Sequence, residues 1–258
     1  MPHLTRDGVK LHYDEAGSGP AMVFVHGWTC DRSHFAPQAS HFSSGRRCIA
    51  VDLRGHGESD KPEQPYTIEG FAGDLAWMCG ELGVSRAVFA GHSLGGGIVL
   101  ALAARRPELC EAVVLLDPAI LFPAELQPLV AELIAGLRSP DGAKVMREFA
   151  ADRFFLETSD PALKERLLAA MSRTPMHVAA STFEGVGAFD GEAALRSLRV
   201  PALYVEADPV YDRVGRLREL CPEAVTGKTV GAGHFHQLEV PDQINAMIER
   251  FLVTAATS

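Results

Sequence analysis

The stretch Gly91-His-Ser93-Leu-Gly95 separates a short apolar run, residues 87–90, from a segment with helical spacing, residues 94–105. It has the pattern G-x-S-x-G, which between a strand and a helix places a serine on a sharp, exposed turn. Glycines at the flanks permit this turn, because a side chain at either one would collide with neighbouring backbone. We therefore predict that Ser93 is a nucleophile at the end of a buried strand.

Short apolar runs alternate with segments of helical spacing on both sides of this turn. Such runs are typical of strands that are buried on both faces. The alternation predicts an α/β fold, a mostly parallel sheet with helices on both faces. The predicted strands are residues 21–25, 48–51, 87–90, 112–116, 202–205 and 225–230, and the predicted core helices are residues 35–42, 68–82, 94–105, 214–220 and 243–252.

The alternation stops from about residue 121 to residue 194. Helical segments follow one another there, at residues 124–137, 142–155, 161–172 and 176–183. Prolines lie near the starts of these segments, where a missing backbone N–H costs nothing. We predict a core formed by residues 1–120 and 195–258, with residues 121–194 inserted as a helical lid.

The composition indicates a globular chain and argues against some classes of partner. Of the 258 residues, 47% are hydrophobic and 22% are charged, unlike a disordered chain. Lys and Arg number 24 against 33 Asp and Glu, a net charge of −9 without any basic run, which argues against nucleic acid. Five cysteines without C-x-x-C spacing favour a reducing compartment, and no apolar stretch is long enough to span a bilayer. We expect a cytoplasmic protein without membrane association, whose oligomeric state the sequence leaves open.

Three further stretches follow predicted strands in the same way as the serine turn. They are His26-Gly-Trp28, residues 52–60 (Asp-Leu-Arg-Gly-His-Gly-Glu-Ser-Asp) and Gly231-Ala-Gly-His234. Together with the serine turn, they resemble the α/β-hydrolase family, in particular its serine esterase and lactonase-like branch. The resemblance covers nearly the whole chain outside the predicted lid. It implies a Ser-His-Asp triad and no metal, nucleotide or flavin cofactor.

The resemblance also implies roles for residues around Ser93. His234 follows the last strand run, where the family has its catalytic base, and a serine nucleophile needs such a base within hydrogen-bond reach. The backbone amides of Trp28 and Leu94 match the family's oxyanion hole. His236 could pair with His234 in a metal site, but no pattern of carboxylates or histidines completes a ligand set, so no metal is expected.

Two aspartates compete for the place of the triad acid. Asp208 follows the next-to-last predicted strand, the family's commonest position, but the usual G-x-x-D pattern is missing there. Asp117 ends the run at 112–116, 24 residues after Ser93, a position that other branches of the family use. We favour Asp117, with Asp208 as the alternative and with Asp212 and Glu206 behind both.

The substrate pocket is the least defined part of this interpretation. Apolar lid residues and two histidines are candidates, although an apolar stripe at helical spacing more often packs a core than contacts a ligand. The candidate pocket residues are His92, Phe122, Phe154, Phe183 and His236.

The sequence therefore predicts a serine hydrolase that cleaves a small carboxylic ester or lactone through an acyl-enzyme. A serine at position 93 argues against haloalkane dehalogenase and epoxide hydrolase chemistry, which need a carboxylate nucleophile. Two other activities of the same triad stay open: hydrolysis of C–C bonds in ring-cleavage products, and cofactor-free perhydrolysis. A third alternative is a non-enzymatic receptor of the same fold that binds a small ligand, against which the intact triad candidates argue.

Overall fold

The computed structural model describes residues 2–121, 127–208 and 214–255, which form one eight-stranded sheet with helices packed around it. The strands are β1 (His3–Arg6), β2 (Val9–Ala16), β3 (Ala21–Val25), β4 (Arg47–Val51), β5 (Ala87–His92), β6 (Cys110–Leu116), β7 (Ala202–Glu206) and β8 (Val225–Lys228). The helices flanking the sheet are α1 (Ala36–Phe42), α2 (Ile68–Glu81), α3 (Leu94–Arg105), α9 (Val214–Leu220), α10 (His236–Glu239) and α11 (Pro241–Ala255). The helices between β6 and β7 are α4 (Gln127–Leu137), α5 (Gly142–Arg153), α6 (Pro161–Met171), α7 (Met176–Ala188) and α8 (Gly191–Ser197).

The sheet has the strand order β1-β2-β4-β3-β5-β6-β7-β8. Strands β3 to β8 pair in parallel, whereas β1 with β2 and β2 with β4 pair antiparallel. The prediction of a mostly parallel α/β sheet is therefore confirmed. Strand β5 lies between β3 and β6, so the turns that follow these three strands meet at one edge of the sheet.

Alternate residues of the central strands pack into two separate apolar cores. In β3, Val23 and Val25 join one core, whereas Met22 and Phe24 join the other. Because successive side chains of a strand point to opposite faces, a strand covered on both sides must be apolar throughout. This burial explains the continuous apolar runs from which the strands were predicted.

The sequence interpretation missed the hairpin formed by β1 and β2. Asp7 and Gly8 connect the two strands with positive φ angles of 51° and 79°. An Asp-Gly pair with both φ values positive fits the tight turn whose twist matches a hairpin. The strands themselves are only partly buried, so no continuous apolar run marks them.

The described part of the segment between β6 and β7 contains helices α4 to α8, and the last of them ends at Ser197. Two of the predicted residues, Phe122 and Asp212, lie outside the described residues. Within the described ranges, no helix is both long and apolar enough to cross a membrane.

Candidate active site

Ser93 lies on a strained turn between β5 and α3. Its φ and ψ angles are 52° and −116°, a conformation that a non-glycine residue adopts only when its surroundings impose it. A side chain at Gly91 would collide with the carbonyl of Gly95, and one at Gly95 would collide with the carbonyl of Val25. The flanking glycines are therefore required by close backbone approach, as the sequence predicts.

Backbone hydrogen bonds fix this turn on the neighbouring strand. The N–H of Ser93 donates to the carbonyl of Leu116 at 2.9 Å, and the carbonyl of Ser93 accepts from the N–H of Gly96 at 2.9 Å and of Ala119 at 3.1 Å. The end of β6 thus holds the serine backbone directly. The side chain of Ser93 faces a cavity rather than the core.

Asp117 and His234 meet beside this turn. Asp117 follows β6, has a φ of 40°, and is positioned by its N–H, which donates to the carbonyl of Val205 at 2.8 Å. His234 Nδ1 and Asp117 Oδ2 are 2.6 Å apart, and both side chains are largely buried. A carboxylate at this distance selects the tautomer with the proton on Nδ1, which leaves Nε2 to accept a proton.

Asp208, the alternative acid, has a different partner. Its carboxylate forms an ion pair with Lys228 at 3.2 Å, and 44% of its side chain is exposed. Only its backbone N–H reaches the histidine loop, where it donates to the carbonyl of Ala232 at 2.9 Å. The structure therefore brings Asp117, and not Asp208, to His234.

Two neighbours hold the His234 loop. The carbonyl of His234 accepts a hydrogen bond from His92 Nε2 at 2.8 Å. The backbone N–H of His234 donates to the carbonyl of Phe154 at 3.0 Å. The ring of Phe154 stacks on the imidazole of His234, with a centroid distance of 4.5 Å and an interplanar angle of 27°. Phe154 follows α5, so the helical segment between β6 and β7 contacts the imidazole directly.

His92 and His236 do not line the cavity, which corrects their predicted place in the pocket. Both are completely buried. Burial holds the pKa of His92 well below its usual value and lowers the pKa of His236 to about 4, so both are neutral near pH 7. His236 Nδ1 lies 3.1 Å from Thr229 Oγ1, a local bond that holds the ring in the protein interior.

The loop histidines His26 and His56 are also buried. His26 Nδ1 donates to the carbonyl of Gly27 at 2.8 Å, and Nε2 accepts from the N–H of Leu53 at 3.1 Å, so both ring nitrogens are used within the protein. Burial lowers the pKa of His26 to about 4 and that of His56 to about 3. The hydrogen bond from Leu53 to His26 joins the loop after β4 to the loop after β3, so His26 has a structural role.

Trp28 and Leu94, the two residues whose amides are predicted to form an oxyanion hole, line the same cavity as Ser93. Leu94 is the first residue of α3, and the N–H groups of a helix's first turn have no partner within the helix. Trp28 is anchored by its side chain, whose Nε1 donates to the carbonyl of Ala179 in α7 at 2.8 Å. The indole also makes an edge contact with Phe183, with a centroid distance of 5.0 Å.

The cavity has a volume of about 710 Å³ and brings the candidate residues together. Phe154 and Phe183, two of the candidate pocket residues, line it. The other apolar residues in the described lining are Ala119, Leu129, Val130, Leu133, Phe149, Phe155, Leu156 and Val186. Most of them lie on α4, α5 and α7 or directly after α5, and helical spacing alone does not reveal which face of a helix borders a cavity.

Comparison with known proteins identifies the family. Residues 20–241 match the family model described as alpha/beta hydrolase fold. The chain belongs to the α/β-hydrolase family. One relative is 2-(acetamidomethylene)succinate hydrolase from Mesorhizobium japonicum. It is 33% identical to this chain over 223 residues, which cover 86% of this chain and 79% of that protein. The 3-oxoadipate enol-lactonase 2 of Acinetobacter baylyi is 28% identical, over 95% of this chain and 94% of that one.

A solved structure shows the same α/β-hydrolase architecture over the full length. The enol-lactonase from Burkholderia xenovorans superimposes with a TM-score of 0.87 at 28% identity, covering 98% of this chain and all of that chain. The predicted resemblance to esterases and lactonases of the family is thereby confirmed. In the described part of this α/β hydrolase, no group of three or more His, Cys, Asp or Glu side chains is arranged to hold a metal ion.

Proposed function

We propose that this α/β hydrolase is a serine hydrolase that cleaves a small carboxylic ester or lactone through an acyl-enzyme. The observation that carries the proposal is the 2.6 Å contact between Asp117 and His234 beside the strained Ser93 turn. A nucleophile, a base and an acid that orients the base are the parts that acyl transfer needs. The overall similarity to enol-lactonases supports a lactone or ester as substrate.

The reaction begins with attack of Ser93 Oγ on the substrate carbonyl carbon, while His234 Nε2 takes the hydroxyl proton. The carboxylate of Asp117 stabilises the imidazolium that forms, and it stays unprotonated. Negative charge develops on the carbonyl oxygen, where the amides of Leu94 and Trp28 donate hydrogen bonds; each such donor contributes roughly 3 to 4 kcal/mol. His234 then returns the proton to the departing alcohol oxygen, and the acyl group remains on Ser93.

Deacylation repeats these steps with water in place of serine. His234 takes a proton from a water molecule that attacks the acyl carbon, and the second tetrahedral intermediate collapses with return of the proton to Ser93 Oγ. A lactone follows the same course, except that the leaving alcohol stays attached to the acyl group. The helical segment from α4 to α8 would serve as the lid, because α4, α5 and α7 supply cavity walls.

The test is hydrolysis of p-nitrophenyl esters from acetate to octanoate by the wild type and by Ser93→Ala. Removal of a serine nucleophile lowers turnover by about 10⁴-fold or more, so activity should fall to background in this variant. Ser40→Ala is the matched control, because Ser40 is exposed on α1, away from the cavity, and its loss should leave turnover unchanged.

A second assay tests the nucleophile without a choice of substrate. A fluorophosphonate probe should add one label to the wild type and to Ser40→Ala, and none to Ser93→Ala. Undiminished hydrolysis or labelling in Ser93→Ala would refute the assignment of Ser93. A folded wild type that is labelled at Ser93 but hydrolyses no ester would refute ester hydrolysis and favour C–C bond hydrolysis.

A further inference from the structure

Apart from Asp117, the Asp, Glu and Arg side chains in the described lining of the active-site cavity lie at its exposed mouth. Asp152, Arg153 and Glu157 are exposed, and Asp208 has 44% of its side chain exposed. Asp152 and Arg153 end α5, Glu157 follows α5, and Asp208 follows β7. Among the described lining residues, Arg153 is the one lysine or arginine.

The cations near the mouth are already engaged with carboxylates. Arg153 Nε lies 2.9 Å from a carboxylate oxygen of Asp152. Lys228, which stands behind Asp208 and outside the lining, pairs with it at 3.2 Å. The described mouth therefore holds more carboxylates than cations, and a carboxylate on a substrate would compete with protein carboxylates for Arg153.

The interior of the cavity is apolar. Its buried walls include Trp28, Leu94, Leu133 and Val186, and half-buried side chains of α4, α5 and α7 complete them. The buried charged group in the described lining is Asp117, whose carboxylate contacts His234. A carboxylate carried into this interior would lose its hydration without gaining a cation, and an unpaired buried charge is strongly unfavourable.

We propose that the enzyme selects substrates whose acyl group is uncharged and apolar, and that it rejects acyl groups that end in a carboxylate. This inference rests on the proposed function, since it concerns the acyl group attached to Ser93. The apolar walls bind the acyl chain by burial of its methylene groups. The carboxylates at the mouth add electrostatic repulsion of anions. Salt weakens this repulsion, because these carboxylates are exposed to solvent.

The experiment compares three p-nitrophenyl esters with a six-carbon acyl chain: the hexanoate, the monoester of adipate with its free terminal carboxylate, and the methyl ester of that adipate. The methyl ester has the greater length of adipate without its charge. We expect kcat/KM for the free adipate ester to be about 100-fold or more below that for both neutral esters, because the described walls of the cavity interior offer no compensating cation.

A variant tests whether the lack of a cation in the described cavity walls causes the low kcat/KM expected for the free adipate ester. Val130 lies in the cavity wall on α4 and is half-buried, so Val130→Lys can place an ammonium group there, with Val130→Met as a neutral control of similar length. We expect Val130→Lys to raise the adipate-to-hexanoate ratio of kcat/KM about tenfold relative to Val130→Met, since a hydrogen bond to a charged group contributes that much. The three-ester comparison on the wild type stands without this variant if the lysine prevents folding.

The outcomes separate this inference from the proposed function. Similar kcat/KM for the free adipate ester and its methyl ester would overturn the inference while leaving ester hydrolysis at Ser93 in place. Faster hydrolysis of the free adipate ester would overturn it as well. Loss of hydrolysis for all three esters in a folded, Ser93-labelled wild type would overturn the proposed function, and the inference with it.

Discussion

The contact between Asp117 and His234 makes a sharp prediction for Asp117→Asn. The substitution keeps the size of the side chain but removes the negative charge 2.6 Å from Nδ1. An amide at this place also permits the opposite tautomer, in which Nδ1 accepts a hydrogen bond and Nε2 carries the proton, so Nε2 can no longer act as the base. Both effects impair transfer of the serine proton and leave the binding of the substrate unaffected.

The expected loss follows from those two effects. In a serine protease, the same exchange lowers kcat by about 10⁴-fold, which corresponds to roughly 5 kcal/mol of transition-state stabilisation. We expect a loss of about this size for Asp117→Asn, with little change in KM, because a group that acts in the transition state changes kcat rather than ground-state binding.

The assay measures kcat and KM for a p-nitrophenyl ester with the wild type, Asp117→Asn and Asp208→Asn. Asp208→Asn is the matched comparison, since it makes the same chemical change at a carboxylate that pairs with Lys228 instead of His234. Its kcat should stay within a few-fold of the wild type, because an exposed ion pair contributes at most about 1 kcal/mol. Thermal unfolding of each variant shows whether the fold is kept. The opposite ranking of the two variants would refute the assignment of Asp117.

Two further predictions concern stability and the serine turn. In the unfolded chain, histidines become protonated near pH 6.5. In the folded protein, burial lowers the pKa of His26 to about 4 and that of His56 to about 3. As the pH falls from 6.5 to 4, the free energy of unfolding should therefore fall by about 1.4 kcal/mol per pH unit for each of these histidines. Equal urea stability at pH 7 and pH 5 would contradict this. Gly91→Ala should lower both the melting temperature and kcat, the latter by about 100-fold, because the added Cβ collides with the carbonyl of Gly95 and displaces the serine. Gly80→Ala in α2, where an added Cβ meets nothing within 4 Å, should change neither by much, and an equal effect of the two variants would disprove the steric argument.

The centre of the sheet could be predicted from the sequence because its strands are buried on both faces. All residues of β3 and β5 are buried, and burial of both faces leaves a continuous apolar run. The edge hairpin of β1 and β2 has no such signal, since its residues are mostly half-buried or exposed. The Asp7-Gly8 pair was the available indication, and a reading based on apolar runs alone passes over it.

The choice between Asp117 and Asp208 illustrates what spacing along the chain cannot give. Both residues follow strands of the same sheet, and both are near the histidine loop. The difference comes from strand order and side-chain direction. Asp117 follows β6, which is the neighbour of β5, so it lies beside the Ser93 turn, whereas Asp208 follows β7, which is one strand further away. A single sequence does not specify that order.

The pocket was the hardest part to predict because its residues have alternative uses in the fold. His92 and His236 are polar residues close to the serine and histidine turns, yet both are completely buried. Phe154 is one aromatic residue among several in the helical segment, and its stack on His234 depends on the path of the chain after α5. Specificity residues that come from helix packing carry no local sequence pattern.

The position of the proposed acid has a consequence for how this scaffold can change. Ser93 and Asp117 follow adjacent strands whose register pairs His92 with Leu116, and the N–H of Ser93 is bonded to Leu116 itself. On this assignment the sheet, rather than a surface loop, sets the separation of nucleophile and acid. The segment between β7 and β8, residues 207–224, carries no part of the proposed triad, so it can be exchanged, lengthened or recruited for substrate choice without dismantling the reaction. An engineer who wishes to graft a new entrance onto this enzyme should begin there.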